Sequence, residues 1–498
     1  MGNKKKKVLI VGGGTSGLVI ANKIQENFDV TVIEKSKFKK YPIFFKIPLL
    51  IGLLLRREKT KYISKRNITL NDGRNLPFFE SNLLGGASVI NGCVHMLGSK
   101  IQWNAILNKF NSDYSDLINS YEDLYSQDLK SKNKIILSQA CQNDIDESFM
   151  KALESLNFCK GNMDYSNNEG YGPVLNTTKK YFRSSVLSIL DEKFFKIFMG
   201  ESVEKILFDE NSKVTGLKTN KQVLDADYII LSGGVFGTCD LLLREKERRI
   251  DKNPLKNLNI GKNIQDHTNL RVNVLTNKSI NSLNEISGSF FKKFQLMYKH
   301  LSGKATFMKG TGATSAAHID LDGDGEIDTR IQILQFSESG RFKSNAKLFS
   351  TFEPGFSISI TPIKPKSKGS FELVGNSNKI NPNYLSEQED IELLKQALKF
   401  CLNLLKTTPM SKNILKIEYE SEIENNPEQY ILNNFHSGYH LTGGTSDIIN
   451  SNFEVNNTSG LFICDASIFN KYAASNIHSS VVLIANIFGK KFINQNTL

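Results

Sequence analysis

Three glycines near the start of the chain, Gly12, Gly14 and Gly17, are spaced G-x-G-x-x-G. That spacing suits a dinucleotide pyrophosphate. Gly12 permits a tight turn, Gly14 lets the backbone approach the phosphates, and Gly17 lets a helix pack closely on the strand before it. The start of that helix, around Thr15 and Ser16, offers N–H donors and a partial positive charge to the phosphates. Glu34 follows Gly17 by seventeen residues. A carboxylate there can accept ribose hydroxyls, and it disfavours the 2′-phosphate of NADP.

A second spacing suits a cation. Asp320, Asp322, Asp324 and Asp328, with Gly325 sixth and Ile327 eighth, fill the first nine positions of a calcium loop. The twelfth position, ordinarily a bidentate glutamate, is Ile331. Two readings stay open: bound Ca²⁺, or a solvated acidic hairpin that stabilises a turn.

Both sets of residues depend on the elements that carry them. Residues 8–11 form a short apolar run that breaks into Gly12, Gly13 and Gly14, as a buried parallel strand does. A helical stripe over 16–27 and a second apolar run over 30–33 complete a βαβ unit. Further strands are expected over 203–208, 214–217 and 228–231, with a helix over 238–243. Residues 331–336 and 356–363 read as strands, 387–405 as a long amphipathic helix, 461–464 as a strand and 479–492 as a closing helix. The fold class is therefore α/β. A discontinuous Rossmann-like domain (1–286 and 431–498) is expected around a substrate-binding domain (287–430) made of a β-sheet flanked by helices.

Four segments resemble signatures of the glucose-methanol-choline (GMC) oxidoreductase family, and they fall in family order. They are Leu84-Gly85-Gly86-Ala87-Ser88-Val89-Ile90-Asn91-Gly92, Ser232-Gly233-Gly234-Val235-Phe236-Gly237-Thr238, Gly261-Lys262-Asn263-Ile264-Gln265-Asp266-His267 and Gly460-Leu461-Phe462-Ile463-Cys464-Asp465-Ala466-Ser467. The resemblance implies FAD rather than NAD. Small residues at Gly85, Gly86 and Ala87 leave room for a backbone to wrap the cofactor, and Asn91 offers a donor and an acceptor to the flavin edge. It extends the cofactor set to Ser88, Gly92, Val203, Asp465, Ala466 and His478. Some members tether the flavin through a histidine where this chain has Ile90, so a non-covalent flavin is expected.

The same resemblance points to catalytic residues. His440-Leu441-Thr442-Gly443-Gly444-Thr445 is similar to the family's H-x-x-G-G segment, whose histidine lies beside flavin N5 and suits a base that removes a hydroxyl proton. The second position falls on Asn476, with His478 as its rival; there a side chain hydrogen-bonds the substrate oxygen as alkoxide character develops. Two departures border this region. Ser446 and Asp447 stand where relatives carry Arg or Lys and Met, and Asn470 stands where a proline is frequent.

The implied activity is oxidation of an alcohol CH–OH to aldehyde or ketone with hydride transfer to FAD, reoxidised by oxygen or another carrier. The rivals are a non-redox member, such as a fatty-acid photodecarboxylase or hydroxynitrile lyase, and a catalytically inactive FAD-binding subunit. The 32 phenylalanines are compatible with an apolar substrate. The charge of +12, from 63 Lys plus Arg against 51 Asp plus Glu, favours anionic partners, but no nucleic-acid reader motif accompanies it. Six cysteines without a C-x-x-C pair argue against a zinc site. The basic start, Met1 to Lys7, runs straight into a strand without the apolar stretch of a leader, so a cytoplasmic protein is expected. The apolar run 47–55 is too short to span a bilayer. A buried segment beside the ligand is the favoured reading there, and an interfacial membrane patch the other.

Overall fold

In the computed structural model of the chain, residues 4–55, 60–70, 73–163, 169–193, 195–248, 252–304, 306–338, 352–375 and 377–497 are described. Lys7–Val11 (KVLIV) has Val8, Leu9 and Ile10 buried. A strand apolar on both faces belongs inside a parallel sheet. It is the middle strand of five, all parallel, in the order Phe195–Met199, Asp29–Glu34, Lys7–Val11, Tyr228–Leu231, Leu461–Ile463. Helix Thr15–Ile24 follows the glycine turn, and the closing helix His478–Asn496 packs against it. Because the strands are parallel, the segments beginning at Gly12, Ser232 and Cys464 leave the sheet at one edge, where such sheets bind their ligands.

The second major sheet is antiparallel. Its order is Ile414–Ile417, Thr268–Thr276, Gly355–Pro362, Thr329–Leu334, Ala313–Ile319, Gly170–Pro173, with His436–Ser437 also paired to Thr268–Thr276. Alternation divides its two faces. Ile331, Ile333, Ile358 and Ile360 belong to the main hydrophobic core, and helix Gln388–Lys406 packs over Gly355–Pro362. On the opposite face Arg271, Ser359 and Gln332 sit side by side across three strands and line a large cavity.

Strands Gly170–Pro173 and Thr268–Thr276 come from outside residues 287–430. Sheet membership therefore does not follow one contiguous block. Pairing requires only adjacency in space, which a change of composition along the chain does not report. A small antiparallel sheet sets Lys262–Gln265 beside Thr442–Gly444. It brings the Asp266-His267 pair against His440. The apolar run becomes helix Pro48–Leu55, whose Leu49, Leu50 and Leu55 line the cavity. All six cysteines are unpaired, four of them buried. Among the described residues no helix is long and apolar enough to cross a membrane.

Candidate active site

One continuous cavity of about 1450 Å³ reaches from Gly12 and Glu34 to His440 and Asn476. At the first end the wall is main chain. Gly12 has φ +109°, and a Cβ there would lie 2.5 Å from the Ser232 carbonyl oxygen; one on Gly17 would lie 2.0 Å from the Gly12 carbonyl. A Cβ on Gly14 would meet nothing within 4 Å, so that position faces open space, as a phosphate cradle requires. Gly14, Thr15 and Ser16 line the cavity, whereas Gly17 lies behind it. Glu34 is buried, and its carboxylate accepts the Gly13 and Ser36 N–H groups, each at 2.7 Å. Those bonds fix its orientation while leaving further lone pairs for ribose hydroxyls.

Farther along, Gly86, Asn91, Gly92, Asp465 and Ala466 line the cavity, whereas Val203 lines it near the first end, two residues past Glu201, whose N–H donates to the Glu34 carbonyl at 3.0 Å. Gly85 (φ +95°) and Gly86 (φ +56°) use the left-handed region, and a Cβ on Gly86 would lie 2.9 Å from Gly14 Cα. Gly85 and Ser88 do not reach the cavity; the Ser88 hydroxyl donates to the Gly85 carbonyl at 2.7 Å and closes the turn. Asn91 Oδ1 accepts from Arg183 Nη1 and from the Cys93 N–H, which leaves its amide NH₂ for the cavity. Asp465 is fully buried and accepts from Gly234 N–H, the Thr238 hydroxyl, Ser467 N–H and the Ser467 hydroxyl. Burial pushes its carboxyl pKa up, against those hydrogen bonds. The residues thus fit an FAD with its adenosine at Glu34 and its flavin toward Asn91 and Ala466.

At the far end the side chains form a directed chain. His267 Nε2 lies 3.1 Å from the Ile363 carbonyl oxygen, which can only accept, so that nitrogen carries the proton. Burial drives the His267 pKa down to about 4. Its Nδ1 is therefore an acceptor, and His440 Nδ1, 3.0 Å away, donates to it. His440 Nε2 is left with a lone pair. Burial first, then the neighbouring His267 and Arg330, hold the His440 pKa well below the ordinary imidazole value.

Facing that lone pair is Asn476 Nδ2, at 3.3 Å. The amide cannot flip freely, because Arg330 Nη1 donates to Asn476 Oδ1 at 2.5 Å and to the Ser475 hydroxyl at 3.0 Å. Arg330 is itself buried, and that burial lowers its pKa to about 10. The His440 main chain is tied as well: its N–H donates to Asp266 Oδ1 at 2.7 Å and its carbonyl accepts from the Tyr472 hydroxyl at 2.9 Å. His478 also lines the cavity but has no bond to His440. Burial first, then the nearby His95 and Arg183, bring its pKa to about 3. Geometry thus separates the two rivals, with Asn476 beside His440 and His478 toward Arg183. The supporting residues His267, Arg330 and Asp266 were not assigned roles from sequence. Only the Asp266-His267 pair carried a signal, at the end of the third family segment.

The departures from the family pattern sit outside this wall. Ser446, Asp447 and Asn470 do not line the cavity. Asp447 accepts from Asn263 Nδ2 at 2.7 Å, and Lys109 Nζ donates to the Ser446 carbonyl. The acidic loop turns between Ala313–Ile319 and Thr329–Leu334. Asp320, Asp322 and Asp328 bring carboxylate oxygens within 4.8 Å of one another. Asp324 stands apart from that group, 3.8 Å from Lys364 Nζ.

A parallel sheet with a glycine turn at its carboxyl edge, a cavity running from that turn, and a histidine at the cavity's end suit a flavoprotein oxidoreductase. Family models described as GMC oxidoreductase match residues 6–269 and 365–485, so the chain belongs to the GMC oxidoreductase family. It is 24% identical to an oxygen-dependent choline dehydrogenase of Vibrio vulnificus (strain YJ016), over 96% of this chain and 92% of that protein. It is 22% identical to a glucose dehydrogenase [FAD, quinone] of Drosophila pseudoobscura pseudoobscura, over 96% and 85%. Among solved structures, the fold matches a formate oxidase with TM-score 0.86, 16% identity and 99% coverage of both chains. It matches pyridoxine 4-oxidase from Mesorbium loti with TM-score 0.81, 18% identity and coverage of 98% and 99%.

Proposed function

We propose that the chain oxidises the CH–OH group of a small alcohol with an apolar body to an aldehyde or ketone, using non-covalently bound FAD. The observation that carries this reading is the directed chain Ile363, His267, His440, which leaves His440 Nε2 unprotonated and facing the cavity. Bound FAD would supply the hydride acceptor. His440 Nε2 takes the hydroxyl proton. Asn476 Nδ2, held by Arg330, donates to the substrate oxygen as its negative charge develops. Leu49, Leu50 and Phe336 line the same cavity and offer apolar surface to the substrate's body. Anaerobic mixing with a panel of alcohols is expected to bleach the oxidised-flavin absorbance near about 450 nm with at least one of them. A flavin that stays oxidised with every alcohol, in protein that carries it in full, would turn the reading toward the inactive-subunit rival. Alkane released from a long-chain acid under illumination would turn it toward the decarboxylase.

A second reading concerns the acidic hairpin. Asp328 is buried, and while its Oδ2 accepts the Leu321 and Asp322 N–H groups, its Oδ1 has only the Thr329 hydroxyl beside it. A Ca²⁺ ion held by Asp320, Asp322 and Asp328 would satisfy that oxygen and tie the turn. Added Ca²⁺ is then expected to raise the melting temperature and Asp328→Asn to remove the increase. A melting temperature indifferent to Ca²⁺ and to chelator sinks this reading.

A further inference from the structure

Helix Phe290–Leu301 (FFKKFQLMYKHL) is inside out. A surface helix ordinarily turns its apolar stripe to the core, yet here the large apolar residues are the exposed ones. Phe290 is 86% exposed, Phe291 73%, Phe294 64%, Tyr298 66% and Leu301 60%. At 100° per residue these five occupy roughly one third of the helix circumference. The inner face is anchored: His300 is buried, with Nε2 3.0 Å from the Tyr181 carbonyl and Nδ1 2.9 Å from the Thr306 hydroxyl. Those two bonds hold the last turn of the helix in this orientation.

Charge says what covers the patch. From Ile286 to Ile319 the sequence holds no Asp or Glu, while Lys293, Lys299, Lys304 and Lys309 fall within or just after the helix; Lys292 is taken up by Glu285 at 2.9 Å. Lys293, Lys299 and Lys304 are exposed. A second copy meeting this face about a two-fold axis would set lysine against lysine. An apolar face rimmed by cations matches a bilayer interface with anionic headgroups, where the rings enter the acyl boundary and the lysines reach the phosphates. Lys293, Leu296 and Met297 of the same helix also line the active-site cavity, and Met297 is 38% exposed, so the cavity opens beside the patch.

We propose that helix Phe290–Leu301 docks the protein on an anionic lipid surface and places the cavity mouth at the apolar layer. An apolar substrate or electron carrier dissolved in the membrane then enters the cavity without crossing water. This rests on the helix and its lysines, independently of the reaction assigned above.

The test is flotation of the flavin-loaded protein with vesicles of phosphatidylcholine alone, or with added phosphatidylglycerol. Wild type is expected to float with the anionic vesicles at low salt and to be released as salt rises. Phe291→Ser and Phe294→Ser lie outside the cavity wall, and each is expected to lower partitioning about tenfold with flavin content unchanged. Lys299→Glu with Lys304→Glu is expected to abolish the preference for phosphatidylglycerol. The proposal is overturned if wild type stays with the soluble fraction, or if the serine variants float as it does. It is equally overturned if wild type sediments as a dimer that Phe294→Ser converts to a monomer, which would make the patch a protein interface.

Discussion

At one end of the cavity the wall is main chain, and at the other it is side chain. Gly12, Gly14 and Gly17 act through the atoms they lack, and they sit within six consecutive residues with Glu34 one strand away. His440, Asn476, His267 and Arg330 act through the atoms they carry, and they come from four separate segments. A main-chain site is rigid as soon as its strand and helix form. A side-chain site is only as well placed as the tertiary contacts behind it, so the two ends should fail differently when altered.

The largest effect is expected at the glycine turn. The Cβ of Gly17→Ala would lie 2.0 Å from the Gly12 carbonyl oxygen, a backbone atom that cannot rotate aside. The turn and the helix must separate, and the variant is expected to purify without flavin, as its absorbance spectrum would show. Retention of a full complement of FAD would contradict the main-chain account of this end.

At the other end, His440→Ala is expected to keep its flavin and lose about 10²- to 10⁴-fold in the rate of flavin reduction by alcohol, measured by anaerobic stopped flow. The same residue sets the acid limb of the wild-type profile. Burial, then His267, then Arg330, lower its pKa from 6.5, so the unprotonated base persists into more acid solution than an ordinary histidine allows. Flavin reduction should therefore hold as pH falls through 6.5 and decline only below it. A limb centred at or above that value would mean that His440 is not the titrating base.

Arg330→Met probes the support behind the site. It removes the donor to Asn476 Oδ1, so the amide is free to turn its carbonyl toward His440. A loss of about 10- to 100-fold in kcat with KM nearly unchanged is expected, partly recovered in Arg330→Lys. A rise in KM alone would make Arg330 a substrate-binding residue rather than a positioning one.

This contrast explains what could be read in advance. Glycines announce themselves by spacing, because steric exclusion at a turn is a local property; the parallel strand Lys7–Val11 and its neighbour were legible for the same reason. His440 and Asn476 were legible only through the family resemblance. Arg330 lies on a strand of alternating pattern, and nothing in that pattern says that its side chain passes beneath Asn476, since the contact spans 146 positions. That Asn476 and His478, two residues apart, face different neighbours was likewise not legible before the helix start was placed.

The smallest effect is expected where sequence comparison alone would look for a large one. Ser446 and Asp447 replace residues that relatives use, and their nearness to His440 in the chain suggests altered chemistry. The Asp447 carboxylate holds Asn263 at an exposed site, and neither residue lines the cavity. Asp447→Ala removes two partly solvated hydrogen bonds, from Asn263 and from the Ser446 hydroxyl, a loss of about 1–3 kcal/mol in stability at most. Its kcat/KM is expected to stay within about twofold of wild type, since less than about 0.4 kcal/mol would reach the transition state. A tenfold loss of activity at unchanged stability would show that the segment behind His440 transmits to the base, and that the side-chain end extends further from the cavity than its lining residues indicate.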